Sequence, residues 1–439
     1  MNGSIDQSAL ESLLDSSRIG ILDGGLATYL EDGLNFDLSK GPLWSARLLD
    51  QKQEDVSNGK GQKGIFDAHL HYLQAGAGII GTATYQASQE SFARANYHPA
   101  SASYLMSKAV DLACEALHTY NNTQSSSPLP RPLISLSLGP YGGMLSNGAE
   151  YTGDYRPTFL PETDSQREQQ PSLEEMTAFH QRRIEAFVAQ PSWKDVGVLA
   201  VETVPRADEA LAFRLALENV VKKHQAQGKP LERKPVYISM AFPDDKRLPW
   251  PPLSTIFASE DDDDVDMDQD DDEADQADSE GAIQEEMNWL VQIVVDTQVQ
   301  AQDSLWPIAG IGINCTKPYL LPKLVERMSN SLLTLNMPIS EGGMDLARRR
   351  AQAGQQKPLL CLYPDGGLIY EPVRKVWLTP SNAGALGGDS SAASWASNLM
   401  KLAKSITASS ANVWSGVFVG GCCKSGTDEI RALCQCRSA

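Results

Sequence analysis

The chain has 439 residues, 41% of them hydrophobic, which suffices for one large barrel or two ordinary domains with a buried core. No run of 18 apolar residues is present, and residues 1–8 lack the basic and apolar regions of a signal peptide. We therefore expect no membrane span and a cytoplasmic protein.

The formal charge is 37 − 56 = −19, and fourteen Asp and Glu residues from Glu260 to Glu280 supply most of it. No basic surface with interleaved aromatic residues suggests nucleic acid.

Short β-rich apolar runs alternate with longer segments of helical pattern, such as 173–188 and 208–223. Several runs are nearly continuous in Val, Ile and Leu, as is typical of parallel strands buried on both faces. The predicted strands cover 19–23, 78–84, 132–138, 196–203, 235–242, 308–314, 358–363 and 413–419.

Eight alternating units predict an α/β fold, a (β/α)8 TIM barrel that forms a single domain over residues 1–439. A doubly wound sheet is the alternative. We favour the barrel because polar, chemically capable residues recur at the C-terminal ends of the predicted strands, where a barrel places its active site.

An acidic insertion at 243–281 interrupts the pattern after the fifth predicted strand. Its composition cannot bury enough apolar surface to order the chain, so we expect it to be disordered and looped out of the barrel. It is interpreted either as a solvated insertion or as an acidic segment that docks a basic partner.

Two predicted strands end on thiols, one in GIGINC at Cys315 and the other in VFVGGCC at Cys422 and Cys423. Three thiolates from two strand ends would make a zinc site with one open position, able to bind another thiol. Neighbouring strand residues point to opposite faces, so the chain must bend at the cysteine pair, and Gly420 and Gly421 permit this. The alternative, that the three thiols merely pack, stays open. We expect the other four cysteines to lie outside the site.

Eight short motifs follow one another in order over nearly the whole chain. They are ILDGGLAT (21–28), TATYQAS (82–88), SLGP (137–140), EYTGDY (150–155), VETVP (201–205), GINCT (312–316), YPDG (363–366) and GGCC (420–423). Together they resemble the motifs of the homocysteine S-methyltransferase family, which includes betaine-, S-methylmethionine- and S-adenosylmethionine-dependent enzymes. The resemblance implies that Cys315, Cys422 and Cys423 bind Zn2+ and that the homocysteine sulfur takes the open position.

The resemblance also implies a set of substrate contacts. Asp23 with the Gly24 and Gly25 backbone would hold the amino-acid end of homocysteine, and Thr82 would contact its carboxylate. Glu202 ends an apolar strand, where a carboxylate is costly unless paired, and the substrate ammonium is a natural partner. Each residue also has a purely structural alternative. Asp23 could belong to an Asp-Gly turn, Thr82 could be an ordinary β-branched strand residue, and Glu202 could form an internal salt bridge.

The function implied is methyl transfer to L-homocysteine, a step of methionine biosynthesis. We expect S-methylmethionine as donor, with S-adenosylmethionine possible, and no catalytic protein base, because a metal ionises the bound thiol. The alternatives are a betaine-dependent enzyme, an acceptor such as selenocysteine, and a non-catalytic barrel scaffold that docks a partner through its acidic segment. The oligomeric state is left open.

Overall fold

The frame of the molecule is a ring of eight parallel strands. The computed structural model describes residues 7–39, 41–51, 59–123, 130–157, 169–249, 276–296, 305–336, 357–367, 369–371, 376–378 and 391–438. The strands of the ring are β1 (Ile19–Ile21), β2 (Ile79–Gly81), β3 (Leu133–Leu138), β4 (Val198–Val204), β5 (Val236–Met240), β6 (Gly310–Asn314), β7 (Leu359–Tyr363) and β10 (Gly416–Val419).

The strands are bonded in the order β1-β10-β7-β6-β5-β4-β3-β2. Contacts between β1 and β2 bring the two edges together. The Gly78 N–H donates to the Ile21 carbonyl over 2.9 Å, and the Asp23 N–H donates to the Ile79 carbonyl over 3.0 Å. The prediction of a (β/α)8 barrel with eight parallel strands is thus confirmed, and all eight carboxyl ends meet at one mouth.

Helices surround the ring, and none of those that the structure describes is long and apolar enough to cross a membrane. Short 3-10 helices cover Trp44–Leu49, Pro191–Asp195 and Pro318–Leu320. The α-helices are α1 (Ser8–Ser12), α2 (Leu26–Asp32), α3 (Lys60–Ala75), α4 (Gln89–Arg94), α5 (Pro99–Thr123), α6 (Tyr141–Leu145), α7 (Ala149–Thr152), α8 (Leu173–Val188), α9 (Ala207–Ala226), α10 (Gln276–Val295), α11 (Leu321–Leu335), α12 (Ala392–Ala408) and α13 (Thr427–Ser438).

The apolar strand residues are buried on both faces of the sheet, which explains their continuous hydrophobic runs. Outward side chains such as Ile238 and Leu360 pack against the helices in the large core cluster. Inward side chains such as Val198, Cys361 and Phe418 fill the barrel interior. The interior is therefore a packed core that closes the site from below.

The structure adds one element that the sequence analysis missed. An antiparallel pair, β8 (Ile369–Glu371) and β9 (Val376–Leu378), follows β7. Each of these strands has three residues, too few for a recognisable alternation.

The acidic insertion predicted at 243–281 falls mostly on residues 250–275, which lie outside the described residues. Its last residues, 276–281, belong to the first turns of α10. The Arg327 guanidinium pairs with the Glu280 carboxylate over 2.8 Å at this end.

Helix α8 shows how the sequence sets a boundary. The Ser172 hydroxyl accepts from the Glu175 N–H over 3.2 Å, and the Glu175 carboxylate accepts from the Ser172 N–H over 2.8 Å. This reciprocal capping box satisfies two donors that would otherwise lack partners. The helix consequently covers 173–188, as predicted.

Replacing Ser172 with alanine should lower the free energy of unfolding by about 1 kcal/mol, because the N-cap bond is lost. Denaturant unfolding followed by circular dichroism measures this. Ser405→Ala, at an exposed position inside α12, serves as the control and should change stability by less than about 0.5 kcal/mol. Equal effects of the two substitutions would contradict the capping role.

Candidate active site

The three predicted cysteine ligands meet at the mouth of the barrel. Cys315 follows β6 with a left-handed backbone (φ +49°), and Cys422 and Cys423 follow β10. The three Sγ atoms all lie within 4.8 Å of one another. In the described part of the chain, this is the only group of three His, Cys, Asp or Glu residues spaced to hold a metal ion.

The end of β7 holds both cysteine loops, since β7 lies between β6 and β10. The Tyr363 carbonyl accepts from the Cys315 N–H over 3.3 Å, and the Pro364 carbonyl accepts from the Cys422 N–H over 2.8 Å. The Gly366 N–H donates to the Cys423 carbonyl over 2.8 Å. These bonds bring together residues about a hundred positions apart in the sequence.

Gly420 and Gly421 are needed for space. Neither has a positive φ. A Cβ atom on Gly420 would lie 2.7 Å from the Asp23 carbonyl oxygen, and one on Gly421 would lie 2.2 Å from the Ser425 Cβ. The structure adds a steric reason to the predicted conformational freedom: Gly420 lets β10 approach the Leu22–Asp23 segment closely, and Gly421 leaves room for the Ser425 side chain.

The structure joins Cys315 and Cys422 in a disulfide with their Cα atoms 5.5 Å apart, while Cys423 is a buried free thiol. Thiolates are the sulfur form that binds metal, so a three-cysteine metal site requires the disulfide to be reduced. Three clustered soft sulfur ligands with one position left open match a catalytic zinc site. The residues present therefore fit a zinc ion.

Two polar side chains support the thiols from behind. The Asn314 side-chain oxygen accepts from the Thr203 N–H over 2.8 Å, and its amide donates to the Thr203 hydroxyl over 2.7 Å. The same amide reaches the Cys422 Sγ at 3.9 Å, and the Thr203 hydroxyl donates to the Cys315 Sγ over 3.7 Å. Asn314 thus fixes a β-branched residue in a left-handed conformation (φ +61°) beside the sulfurs.

Two carboxylates lie deeper in the mouth. The Asp23 carboxylate accepts from the Gly81 N–H over 2.7 Å, and the Glu202 carboxylate accepts from the Ser137 hydroxyl over 3.4 Å. Neither has a basic ion-pair partner among the described residues, so the internal salt bridge considered for Glu202 is not formed there. Burial raises the pKa of Asp23 to about 7. Burial and the Asp23 charge raise the pKa of Glu202 to about 8, against smaller opposing effects of the Ser137 hydrogen bond and the Arg183 charge, which forms no ion pair with Glu202.

Thr82 and the two glycines complete the predicted set. The Thr82 hydroxyl is 2.6 Å from the Thr84 hydroxyl and accepts from the Ser137 N–H over 3.1 Å. The Gly25 N–H donates to the Ser425 carbonyl over 2.9 Å and is already used. The Gly24 N–H has no backbone partner in the described part of the chain. Of the two glycine amides, Gly24 is the one placed to bind a ligand.

One cavity of about 90 Å³ is lined by all eight predicted site residues. No His, Lys or Arg among the described residues lines it, which leaves no candidate protein base of those types. The sequence analysis missed several lining residues, among them Trp44, Tyr85 and Tyr151. The Tyr151 hydroxyl is 3.9 Å from the Cys423 Sγ, and the Trp44 and Tyr85 rings meet edge to face at 5.9 Å. Tyr151 stands in a quoted motif, which was a usable signal; Trp44 stands in none.

The homocysteine S-methyltransferase family model matches residues 20–254 and 284–437. The selenocysteine Se-methyltransferase of Brassica oleracea var. italica is 27% identical over 96% of this chain and 90% of its own. The homocysteine S-methyltransferase YbgG of Bacillus subtilis is 25% identical over 97% of this chain and 96% of its own.

Two crystal structures of the Escherichia coli homocysteine methyltransferase MmuM share the fold. The oxidized form has a TM-score of 0.56 at 23% identity, covering 97% of this chain and 99% of that one. The metallated form has a TM-score of 0.54 at 22% identity, covering 98% and 100%. With the family model matching most of its length, the chain belongs to the homocysteine S-methyltransferase family and is a methyltransferase.

Proposed function

We propose that the protein transfers a methyl group from a sulfonium donor to the sulfur of L-homocysteine and so forms methionine. S-Methylmethionine is the favoured donor, and S-adenosylmethionine is the second. The observation that carries the proposal is that the two ends of one cavity carry different chemical groups. Three cysteine sulfurs within 4.8 Å of one another lie at its mouth, and two carboxylates without a basic partner among the described residues lie deeper inside.

Homocysteine suits both ends of this cavity. Its ammonium group would be held between Asp23 and Glu202, two carboxyl groups with raised pKa values that an ammonium would stabilise in the ionised form. Its carboxylate would accept a hydrogen bond from the Gly24 N–H and lie beside Thr82. Its sulfur would then lie at the cysteine cluster. The amino-acid end fixes the orientation, and the thiol end is where the chemistry occurs.

A zinc ion held by Cys315, Cys422 and Cys423 would bind the substrate sulfur and lower the pKa of its thiol. Asn314 and Thr203 hold the cysteine sulfurs by side-chain hydrogen bonds, the kind of support that orients ligands. Trp44, Tyr85 and Tyr151 add aromatic surface to the lining of the cavity beside the cysteine cluster.

In the transfer, the homocysteine thiolate attacks the donor's methyl carbon in line with the bond to the sulfonium sulfur. A carbon–sulfur bond forms as the donor's carbon–sulfur bond breaks, and its electron pair stays on the donor sulfur, which becomes a neutral thioether. No proton moves in this step, in keeping with the absence of His, Lys and Arg from the described cavity lining. The residues contribute binding and alignment of the two substrates.

The reduced protein with zinc should form methionine from homocysteine and S-methylmethionine, more efficiently than with S-adenosylmethionine. Methyl-labelled donors followed by mass spectrometry measure the transfer. Selenocysteine belongs in the assay as a second acceptor, because a selenocysteine Se-methyltransferase is a full-length relative. Transfer from betaine alone would contradict the proposed donor class. No transfer from any donor to either acceptor would contradict the function.

Reduced protein should bind about one zinc per chain, and Cys423→Ser should weaken binding by at least about 100-fold, since one of three sulfur ligands is lost. Chelator competition measures the affinity without reference to activity. Cys434→Ser, in α13 and outside the cavity, is the matched control and should bind zinc normally. Protein oxidised to the Cys315–Cys422 disulfide should bind no zinc until it is reduced. Undiminished binding by the oxidised protein or by Cys423→Ser would refute the three-sulfur site.

Glu202→Gln should raise the KM for homocysteine about 10- to 100-fold, because a charged hydrogen bond to the ammonium is lost. An ammonium favours the ionised carboxylates, so binding lowers both raised pKa values and releases protons near pH 7. Norleucine, which has no thiol, isolates this release in calorimetry with two buffers of different ionisation enthalpy. Glu115→Gln, at an exposed position, is the control.

The release should be smaller in Glu202→Gln than in the unmodified protein. Norleucine binding with no proton release, together with an unchanged KM for homocysteine in Glu202→Gln, would exclude the carboxylate pair as the ammonium site.

A further inference from the structure

A second cavity of about 340 Å³ opens beside the first, which has about 90 Å³. The two share four lining residues: Thr28, Trp44, Tyr151 and Cys423. Because Cys423 is part of the sulfur cluster and lines both cavities, a molecule in the outer cavity would lie beside the cluster; Asp23 and Glu202 line only the first cavity. The larger space is therefore placed for the second substrate of a transfer reaction.

Glu150 is an unexplained carboxylate of this outer cavity. It is 7% exposed, and its Oε2 atom has no hydrogen-bond partner in the part of the chain that the structure describes. Burial raises the pKa of Glu150 to about 7. A buried carboxylate oxygen without a partner is costly unless a ligand supplies one. The short helix 149–152, which carries Glu150 and Tyr151, sets both side chains on the cavity wall.

A second acceptor lies on the same wall. The Gln86 side-chain oxygen is buried and also lacks a partner among the described residues. Both atoms accept hydrogen bonds, so the complementary ligand group is a donor. The described lining has three carboxylates, Glu31, Asp32 and Glu150, and a single basic side chain, Lys424. Excess negative charge and two acceptors favour a cationic group that carries N–H bonds.

We propose that the outer cavity is the methyl-donor subsite and that Glu150, with Gln86, binds the α-ammonium group of the donor. This inference rests on the proposed function and makes it more specific, because it restricts the donors to sulfonium compounds that are themselves amino acids. Betaine carries a quaternary nitrogen without N–H bonds and cannot make this contact. Trp44 and Tyr151 line both cavities, and aromatic rings are suitable partners for the sulfonium cation.

The test compares two donors that differ only in the ammonium group, S-methylmethionine and its des-amino analogue 4-(dimethylsulfonio)butanoate. Unmodified enzyme should favour S-methylmethionine by about 10- to 100-fold in kcat/KM, the effect expected of a charged hydrogen bond. Glu150→Gln should lose most of this preference through a higher KM for S-methylmethionine. Its KM for homocysteine and its activity with the analogue should stay unchanged.

Two further variants separate charge from folding. Glu150→Asp keeps the charge and should recover part of the preference. Glu115→Gln, an exposed residue on α5, should keep all of it. Calorimetric binding of S-methylmethionine to the unmodified enzyme and to Glu150→Gln gives a readout that needs no turnover.

An unchanged donor preference and unchanged S-methylmethionine affinity in Glu150→Gln would overturn the subsite assignment, while homocysteine methylation by the unmodified enzyme would leave the proposed function standing. If the unmodified enzyme methylates neither homocysteine nor selenocysteine with any sulfonium, the proposed function itself fails.

Discussion

The site depends on hydrogen bonds from the end of β7 to the two loops that carry the cysteines. Adjacent strands lie about 4.8 Å apart, so β6 and β10, with β7 between them, are about 10 Å apart. The Cα atoms of Cys315 and Cys422 are nevertheless only 5.5 Å apart. Both loops therefore bend towards the end of β7. The carbonyls of Tyr363 and Pro364 accept hydrogen bonds from the backbone N–H groups of these loops and fix them in this position. The geometry of the cysteine cluster is therefore a property of three neighbouring strands.

The mouth of the barrel also concentrates carboxyl groups that have no basic ion-pair partner among the described residues. Glu150 is buried, Asp23 and Glu202 are half-buried, and all three have raised pKa values. Such an arrangement is unfavourable in the empty protein and becomes favourable when cations enter. Two ammonium groups, one sulfonium and a metal ion would supply four cationic groups if the proposed substrates and metal bind. The same unpaired carboxylates that destabilise the empty protein would therefore make the site select cationic ligands.

The sequence predicts the frame and the inner site well, for physical reasons. Continuous apolar runs mark strands buried on two faces, and polar residues at their ends converge because parallel strands share one carboxyl edge. This argument puts Asp23, Glu202 and the cysteines at one edge of the barrel, and the family resemblance then supplied their expected roles. Trp44 could not, because it enters from a 3-10 segment with a left-handed backbone (φ +46°) and no periodic pattern.

Glu150 illustrates the other limit of the sequence. Its motif is visible, but its importance lies in burial and in an oxygen that lacks a partner, and both are set by packing between distant segments. Gly420 and Gly421 likewise could be recognised as necessary, although the reason is the close approach of the Asp23 and Ser425 segments. In both cases the sequence shows which residue is present, but the reason for it is packing between distant segments, which only the folded structure shows.

The link between the two cysteine loops has a consequence for the unfolded chain. Cys315 and Cys422 are separated by 107 residues, and joining them closes a loop that contains α11, β7 and α12. In the chain-entropy treatment, a cross-link over a loop of this size stabilises the folded state by about 5 kcal/mol. A metal ion bound by both sulfurs would close the same loop as the sulfur–sulfur bond does. The reduced chain without such an ion would lack this restraint, so the sulfur cluster also stabilises the last third of the barrel.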